Sequence, residues 1–296
     1  MPPAVITLGF DPYVRVHGLI VGWETLALAA AILVGLLAAA RFARGSGRRT
    51  GLERLRLDDL LYLAVAAVPG AVVGGRILYA LTYLDYYTAR PAALLDPGQG
   101  GLSLLGAVLG GALTSAYLAH LLGAPVGRWL DVASSPLLLT IGLARLAELL
   151  AGAGQGAAFT GAWAVAFVGP GPWLSPAPDV PAHPAQVYAG LWALLGVALT
   201  FALHAGPLLR RLPDGVRQTG RWSEARRERG EEMAPGRLRF GYLFLAALGW
   251  LLLGTLLVGF TTQDPVLVGP LSLEQALSAG LLVAGAGWVA FRAQRA

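Results

Sequence analysis

The 296-residue chain contains no cysteine and no lysine. The missing cysteine excludes disulfides, thiolate metal sites and a nucleophilic cysteine of the chain's own. Charge is also scarce, with Asp, Glu, Lys and Arg together making 13% of the residues, where a soluble domain carries about 25%. That shortage argues against a soluble enzyme, and equally against a disordered chain, which would be polar and highly charged. In place of charge there is apolar bulk: 56% hydrophobic residues and a mean hydropathy of +0.62. All 22 basic residues are arginine, against 17 acids. In so apolar a chain, a basic balance points to a membrane protein with basic cytoplasmic loops rather than to a nucleic-acid partner.

A membrane-spanning helix needs about 20 mostly apolar residues. Seven stretches qualify: Gly18–Ala40, Leu60–Thr82, Leu102–Leu122, Ser134–Leu150, Pro184–Ala205, Phe240–Thr261 and Leu273–Phe291. The fourth is short, and either extends through the Gly/Ala run 151–158 or ends inside the bilayer. The runs are continuous rather than alternating, which excludes a transmembrane β-barrel. The expected fold is therefore all-α and polytopic, a single membrane domain over 1–296 with seven transmembrane helices. Eighteen arginines fall in the loops after spans one, three and five and at the C-terminus, while the opposite side holds Arg15 and Arg90. Positive-inside sorting then places the N-terminus outside and the C-terminus in the cytoplasm. Met1–Val16 has no early basic region and no cleavage site, so the first span is expected to be retained. Segment 152–183, with Trp163 and Trp173, is expected at the outer interface. The Arg/Glu-rich segment 206–239 is expected to be a cytoplasmic basic loop.

Two arginines remain inside spans: Arg76, in Gly74-Gly75-Arg76-Ile77-Leu78-Tyr79, and Arg145, in Gly142-Leu143-Ala144-Arg145-Leu146-Ala147-Glu148. Each costs about 2.5–3.5 kcal/mol at mid-span. Either arginine can serve as an interfacial anchor, and Arg145 can pair with Glu148 across i,i+3. The functional reading is a phosphate or carboxylate site, because a guanidinium fork matches phosphate oxygens and stays charged in apolar surroundings. Further polar clusters are His183-Pro184-Ala185-Gln186-Val187-Tyr188 at the start of span five and Gly100-Gly101-Leu102-Ser103 at the start of span three. A third is Arg15-Val16-His17-Gly18-Leu19, with Glu24 beyond it. A helix cap and glycine packing are their plain alternatives. His120 and His204 lie near cytoplasmic span ends and read as interfacial.

These clusters, in this order, resemble the prolipoprotein diacylglyceryl transferase family over nearly the whole chain. The segment 183–188 is similar to the family's His-Pro-x-Gln-Leu-Tyr-Glu, 74–79 to its Gly-Gly-Arg-x-x-Tyr, and 100–103 to its Gly-Gly-Met-Ser. Arg145 and Gly156 fit its Gly-Arg-x-x-Asn-x-x-Asn-x-Glu-x-x-Gly signature, and 15–19 resembles its opening aromatic-Tyr-Gly-Leu stretch. The chain departs from the family at several positions. The histidine two residues after the family Ser is Leu105, the signature asparagines are Glu148 and Ala151, and the signature Glu is Ala153. The opening Tyr is His17, the last residue of the His-Pro motif is Ala189, and Gly249–Phe260 lacks the family's Arg and Glu.

The resemblance implies transfer of a diacylglyceryl group from phosphatidylglycerol to the lipobox cysteine of a prolipoprotein, at the outer face of the bacterial cytoplasmic (inner) membrane. It implies no cofactor and no metal. The partners would be phosphatidylglycerol, a lipobox-containing precursor and membrane lipids, with no nucleic acid. On that reading Arg145, His183 and Glu148 are catalytic candidates. Arg76, Gly75, Tyr79, Ser103, His17, Gln186 and Tyr188 are substrate-binding candidates. The missing family residues favour one alternative, a non-catalytic phospholipid-binding relative, and the ionisable groups gained at His17 and Glu148 favour another, a transferase with a different acceptor. A transporter ranks last, because no inverted halves or paired broken helices are visible.

Overall fold

The computed structural model describes residues 5–17, 19–50, 55–96, 101–205 and 241–294. The segment 206–239, Gly18 and Gly100 lie outside the described residues. The chain is mostly helical. Strands β1 (Ile6–Leu8), β2 (Tyr13–Val16) and β3 (Leu19–Gly22) lead into α1 (Trp23–Thr50). Then come α2 (Leu57–Thr82), the short α3 (Leu84–Ala89), a 3₁₀ turn (Pro91–Leu94), α4 (Leu104–Leu121), α5 (Val126–Ala147) and a second 3₁₀ turn (Glu148–Leu150). Strand β4 (Val165–Phe167), α6 (Ala185–Ala205), α7 (Tyr242–Val258), strands β5 (Val266–Val268) and β6 (Leu271–Ser272), and α8 (Leu273–Gln294) complete the order. Seven of the described helices are long and apolar enough to cross a membrane: Trp23–Arg44, Leu57–Thr82, Leu104–Leu121, Val126–Leu150, Ala185–Leu203, Tyr242–Thr261 and Leu273–Phe291. The first begins later than the apolar run suggests, because Leu19–Gly22 pairs with Tyr13–Val16 as a hairpin. The fourth begins earlier than the apolar run suggests, at Val126, and ends with it at Leu150. Many large apolar side chains on these helices are exposed, among them Leu33, Leu37, Val65, Leu113 and Val283, as expected of surfaces that meet lipid.

The chain forms two compact units. One comprises residues 1–37, 136–198 and 250–281, the other 38–135, 199–249 and 282–296.

In the second unit, α2 and α4 meet through glycine. Gly70 and Gly74 on α2 face Gly110 and Gly106 on α4; a Cβ on Gly110 would lie 2.1 Å from the Gly70 carbonyl oxygen, and one on Gly106 2.3 Å from that of Gly74. Both helices thus carry Gly-x-x-x-Gly, a spacing that lets two backbones touch in lipid, where packing rather than the hydrophobic effect holds helices together. The hydroxyls of Thr114 and Ser115 extend the seam by donating to the Ala66 and Leu63 carbonyls at 2.8 and 3.0 Å. A small core of Ala43, Leu55, Leu63, Ala119, Trp129 and Val132 lies in the same unit. The Asp131 carboxylate caps α7, accepting from the backbone N–H of Gly241 at 2.8 Å and of Phe244 at 3.1 Å. It satisfies donors that an isolated helix N-terminus leaves open.

In the first unit, β1 runs parallel to β4, and β5 pairs with β6. Helices α6 and α7 are clasped by two tryptophans. The Trp192 and Trp250 rings stack at 4.3 Å, and each indole N–H donates to the other residue's carbonyl at 2.8 Å. Each ring lies on a glycine of the opposite helix, Trp250 on Gly196 and Trp192 on Gly254. This clasp occupies the stretch of α7 in which the family resemblance leads one to look for Arg and Glu.

Candidate functional site

Apart from His17, the candidate residues fall into two clusters, one in each unit. In the second unit, Arg76 is engaged by main-chain carbonyls. Its Nε donates to Leu94 at 2.9 Å, Nη1 to Gly101 at 3.3 Å, and Nη2 to Asp96 at 2.7 Å and to Ala93. Four of the five guanidinium donors are therefore spent on residues 93–101, three of them at the end of the 3₁₀ turn, where carbonyls accumulate negative charge. The guanidinium also lies 5.4 Å from the centre of the Tyr87 ring. Tyr79 packs against Tyr83 and Tyr87, and Gly101 sits against the Tyr79 ring. Ser103 caps α4 by accepting from the Gly106 N–H at 3.0 Å, and its own N–H donates to the Gly75 carbonyl at 3.0 Å. Arg76, Gly75, Tyr79 and Ser103 are thus brought together, and what they do in this arrangement is fasten the 93–103 segment to α2.

The first unit holds the other cluster. Helix α5 ends in the 3₁₀ turn that begins at Glu148, which brings Arg145 and Glu148 to one side. Arg145 Nη1 donates to both carboxylate oxygens, at 2.9 and 3.2 Å, and the two side chains remain 30% and 22% exposed. Glu24, in the first turn of α1, is close enough to Glu148 for the two carboxylates to interact electrostatically. The chain then turns through Gly152 and Gly154, both at positive φ, and runs along the remaining candidates. A Cβ on Gly154 would lie 2.6 Å from Glu148 Oε2 and 3.3 Å from Gln186 Cβ. Gly156 sits against the His183 and Thr261 backbones, where a Cβ would be 3.0 Å from the His183 carbonyl oxygen and 2.1 Å from that of Thr261. Reciprocal main-chain bonds, Gly156 N–H to His183 O and His183 N–H to Ala157 O, fix His183 just ahead of α6.

Gln186, in the first turn of α6, is 2% exposed, and neither of its amide atoms has a hydrogen-bond partner among the described residues. A buried amide without partners costs about 1–3 kcal/mol and calls for a reason. The His183 ring stacks on Phe159 at 3.9 Å, and its Nδ1 is 3.3 Å from the Tyr188 hydroxyl, which also receives the Trp163 indole N–H at 2.7 Å. His17 lies elsewhere in the unit, at the exposed turn between β2 and β3, with φ +48. It makes no hydrogen bond or ion pair among the described residues.

Sequence reasoning did not single out Gln155, whose amide donates to the Val165 and Val180 carbonyls and so ties β4 into the segment that carries the glycines. Nor did it assign Phe159 or Trp163 to this site. A tryptophan between alanines carries no sequence signal beyond interfacial preference. At three positions where the family has polar residues, the chain has Leu105, which is 1% exposed, together with Ala151 and Ala153. Among the described residues no group of three or more His, Cys, Asp or Glu side chains could hold a metal ion.

Comparison with known proteins decides the family. The sequence pattern of the family described as "Prolipoprotein diacylglyceryl transferase" matches residues 13–217. The chain belongs to this family. Phosphatidylglycerol–prolipoprotein diacylglyceryl transferases of Bacillus cereus (strain G9842), Bacillus thuringiensis subsp. konkukian (strain 97-27) and Bacillus anthracis (strain A0248) are each 26% identical to it over 266 residues, covering 88% of this chain and 84% of theirs. As a diacylglyceryl transferase family member it is a distant one and a multi-pass membrane protein. Both units contribute to the matched stretch, since Arg76 and Ser103 lie within it as well as Arg145 and His183.

Proposed function

We propose that this chain transfers a diacylglyceryl group from phosphatidylglycerol to the lipobox cysteine of a prolipoprotein, at the outer face of a bacterial inner membrane. Its N-terminus is then outside and its C-terminus cytoplasmic. The observation that carries the reading is the first-unit cluster. A guanidinium stands at the end of a long apolar helix, held by a carboxylate, and the glycine-rich turn that packs on that carboxylate also packs on a buried amide without partners among the described residues.

The chemistry follows from those groups. The lipid phosphate takes the place of Glu148 on Arg145, and the guanidinium then stabilises the charge that develops on the departing glycerol phosphate. The acceptor thiol, with an ordinary pKa of about 8.5, must lose its proton to attack. His183 and Glu148 are the candidates for assisting that proton transfer. Gln186 supplies two further hydrogen-bonding groups to the lipid once the headgroup is seated. The chain has no cysteine, so the thiol belongs to the substrate.

The test is transfer of labelled diacylglyceryl from phosphatidylglycerol to a lipobox peptide by the purified protein in lipid nanodiscs. Wild type is expected to turn over, and Arg145→Ala to lose activity by about 100-fold or more. Full activity in Arg145→Ala would overturn the assignment. A second reading, a phospholipid-binding relative without transferase activity, draws support from Leu105, which is buried and apolar where the family has a histidine. Lipid binding without turnover would favour it.

A further inference from the structure

The hydrogen bonds around Tyr188 assign a direction to His183. An indole N–H can only donate, so in the 2.7 Å contact with Trp163 the Tyr188 oxygen is the acceptor. The phenolic proton then needs an acceptor, and the partner it has among the described residues is His183 Nδ1, at 3.3 Å. Nδ1 accepting means that the ring proton sits on Nε2. Phe159, stacked on the imidazole at 3.9 Å and 18°, fixes the ring plane.

We propose that Trp163 and Tyr188 act as positioning residues that set His183 as an N–H donor at Nε2, and that His183 holds the phosphate of the leaving group rather than taking the thiol proton. This inference rests on the transferase reading above and resolves the choice it leaves between His183 and Glu148. The balanced step is then as follows. The thiol proton passes to the Glu148 carboxylate, which the lipid phosphate has displaced from Arg145. Sulfur bonds to the glyceryl carbon as that carbon's bond to the phosphate oxygen breaks. The electron pair leaves with glycerol phosphate, whose oxygens are met by Arg145 and by the His183 Nε2–H.

The experiment reads the tautomer directly. Full-length protein labelled with ¹⁵N-histidine is placed in phosphatidylglycerol nanodiscs, and the His183 signals are identified by subtracting the His183→Gln spectrum. Nδ1 is expected to be unprotonated and Nε2 protonated, with Tyr188→Phe and Trp163→Phe each driving the ring towards a mixture of tautomers. A proton on Nδ1 in the wild type, or unchanged ring signals in Tyr188→Phe, would overturn the proposal.

A second arm separates donor from base. Glutamine keeps an N–H donor and cannot take a proton at neutral pH. His183→Ala should therefore lower kcat by about 100-fold and weaken phosphatidylglycerol binding, and His183→Gln should recover most of both losses. Equal loss in the two variants would mean that His183 is the base. If wild type shows no transfer at all, the function proposed above fails, while the nitrogen signals and the lipid Kd of the two variants still decide the donor assignment.

Discussion

Glu148 stands where the family resemblance puts asparagine, and replacing it with asparagine separates the two roles proposed for it. The carboxylate is bound by one guanidinium nitrogen through both oxygens, at 2.9 and 3.2 Å. Charge-assisted bonds of this type contribute about 1.5–3 kcal/mol when sheltered, and exposed ion pairs about 0.2–1 kcal/mol. With 30% and 22% of the two side chains open to solvent, the pair belongs near the boundary, at about 1 kcal/mol. A lipid phosphate must displace this contact to reach Arg145. Removing it should therefore tighten phosphatidylglycerol binding by about fivefold, since 1.4 kcal/mol corresponds to a factor of about ten. Asparagine cannot accept the thiol proton, so kcat should fall by about 100-fold or more even as the lipid binds better.

The assay is paired: Kd for labelled phosphatidylglycerol in nanodiscs of neutral lipid, and single-turnover transfer to a lipobox peptide. Glu148→Asn with unchanged or weaker lipid binding would refute the competition for Arg145. Tighter binding with undiminished kcat would keep the competition and refute Glu148 as the proton acceptor. A thermal midpoint matching wild type would show that neither effect comes from unfolding.

Other perturbations test the scaffold. Arg76→Lys should destabilise the protein measurably in a thermal melt and loosen the 93–101 segment to proteolysis, because one ammonium cannot reach carbonyls that four N–H donors now hold. If phosphatidylglycerol affinity drops in that variant with no change in melting or proteolysis, Arg76 is a ligand contact and not a fastening. Gly156→Ala places a Cβ 2.1 Å from the Thr261 carbonyl. It should cost about 1–3 kcal/mol through forced backbone movement and reduce transfer by displacing His183, and wild-type stability and rate together would contradict that reading. Asp131→Ala removes the cap on α7. It should lower stability by about 1 kcal/mol with kcat intact, as read by thermal unfolding and transfer in parallel.

The helices were legible in the sequence because a bilayer leaves few options. A run of about 20 apolar residues must close its own backbone hydrogen bonds, and a helix does so locally. The misjudged start of the first span has a local cause as well. Leu19, Ile20 and Val21 are as apolar as the helix that follows, but hydropathy averaged over a window cannot see that Tyr13–Val16 offers them a strand to pair with. The glycine seam between α2 and α4 was present in the letters as Gly70, Gly74, Gly106 and Gly110, yet which helix faced which was not. The Trp192–Trp250 clasp was not legible for the same reason, since 58 residues separate its two members.

The two intramembrane arginines make the limit sharper. Arg76 and Arg145 carry the same sequence signal: one guanidinium near the end of an apolar run, with glycine nearby. What separates them is the chemistry of the acceptors that the fold brings. Carbonyls of the 93–101 segment meet Arg76, and a carbonyl is neutral, fixed and part of the chain's own geometry, so trading it for a ligand means unmaking local structure. A carboxylate meets Arg145, on a side chain that is free to rotate away and of the same charge sign as a phosphate. An arginine held by backbone reads as a strut, and one held by a single mobile anion reads as a site with a stand-in already in place. The acceptor type, rather than the arginine itself or its depth in the helix, is therefore the argument for placing the headgroup phosphate at Arg145, and it is why the Glu148 variant tests that placement more directly than removal of Arg145 does.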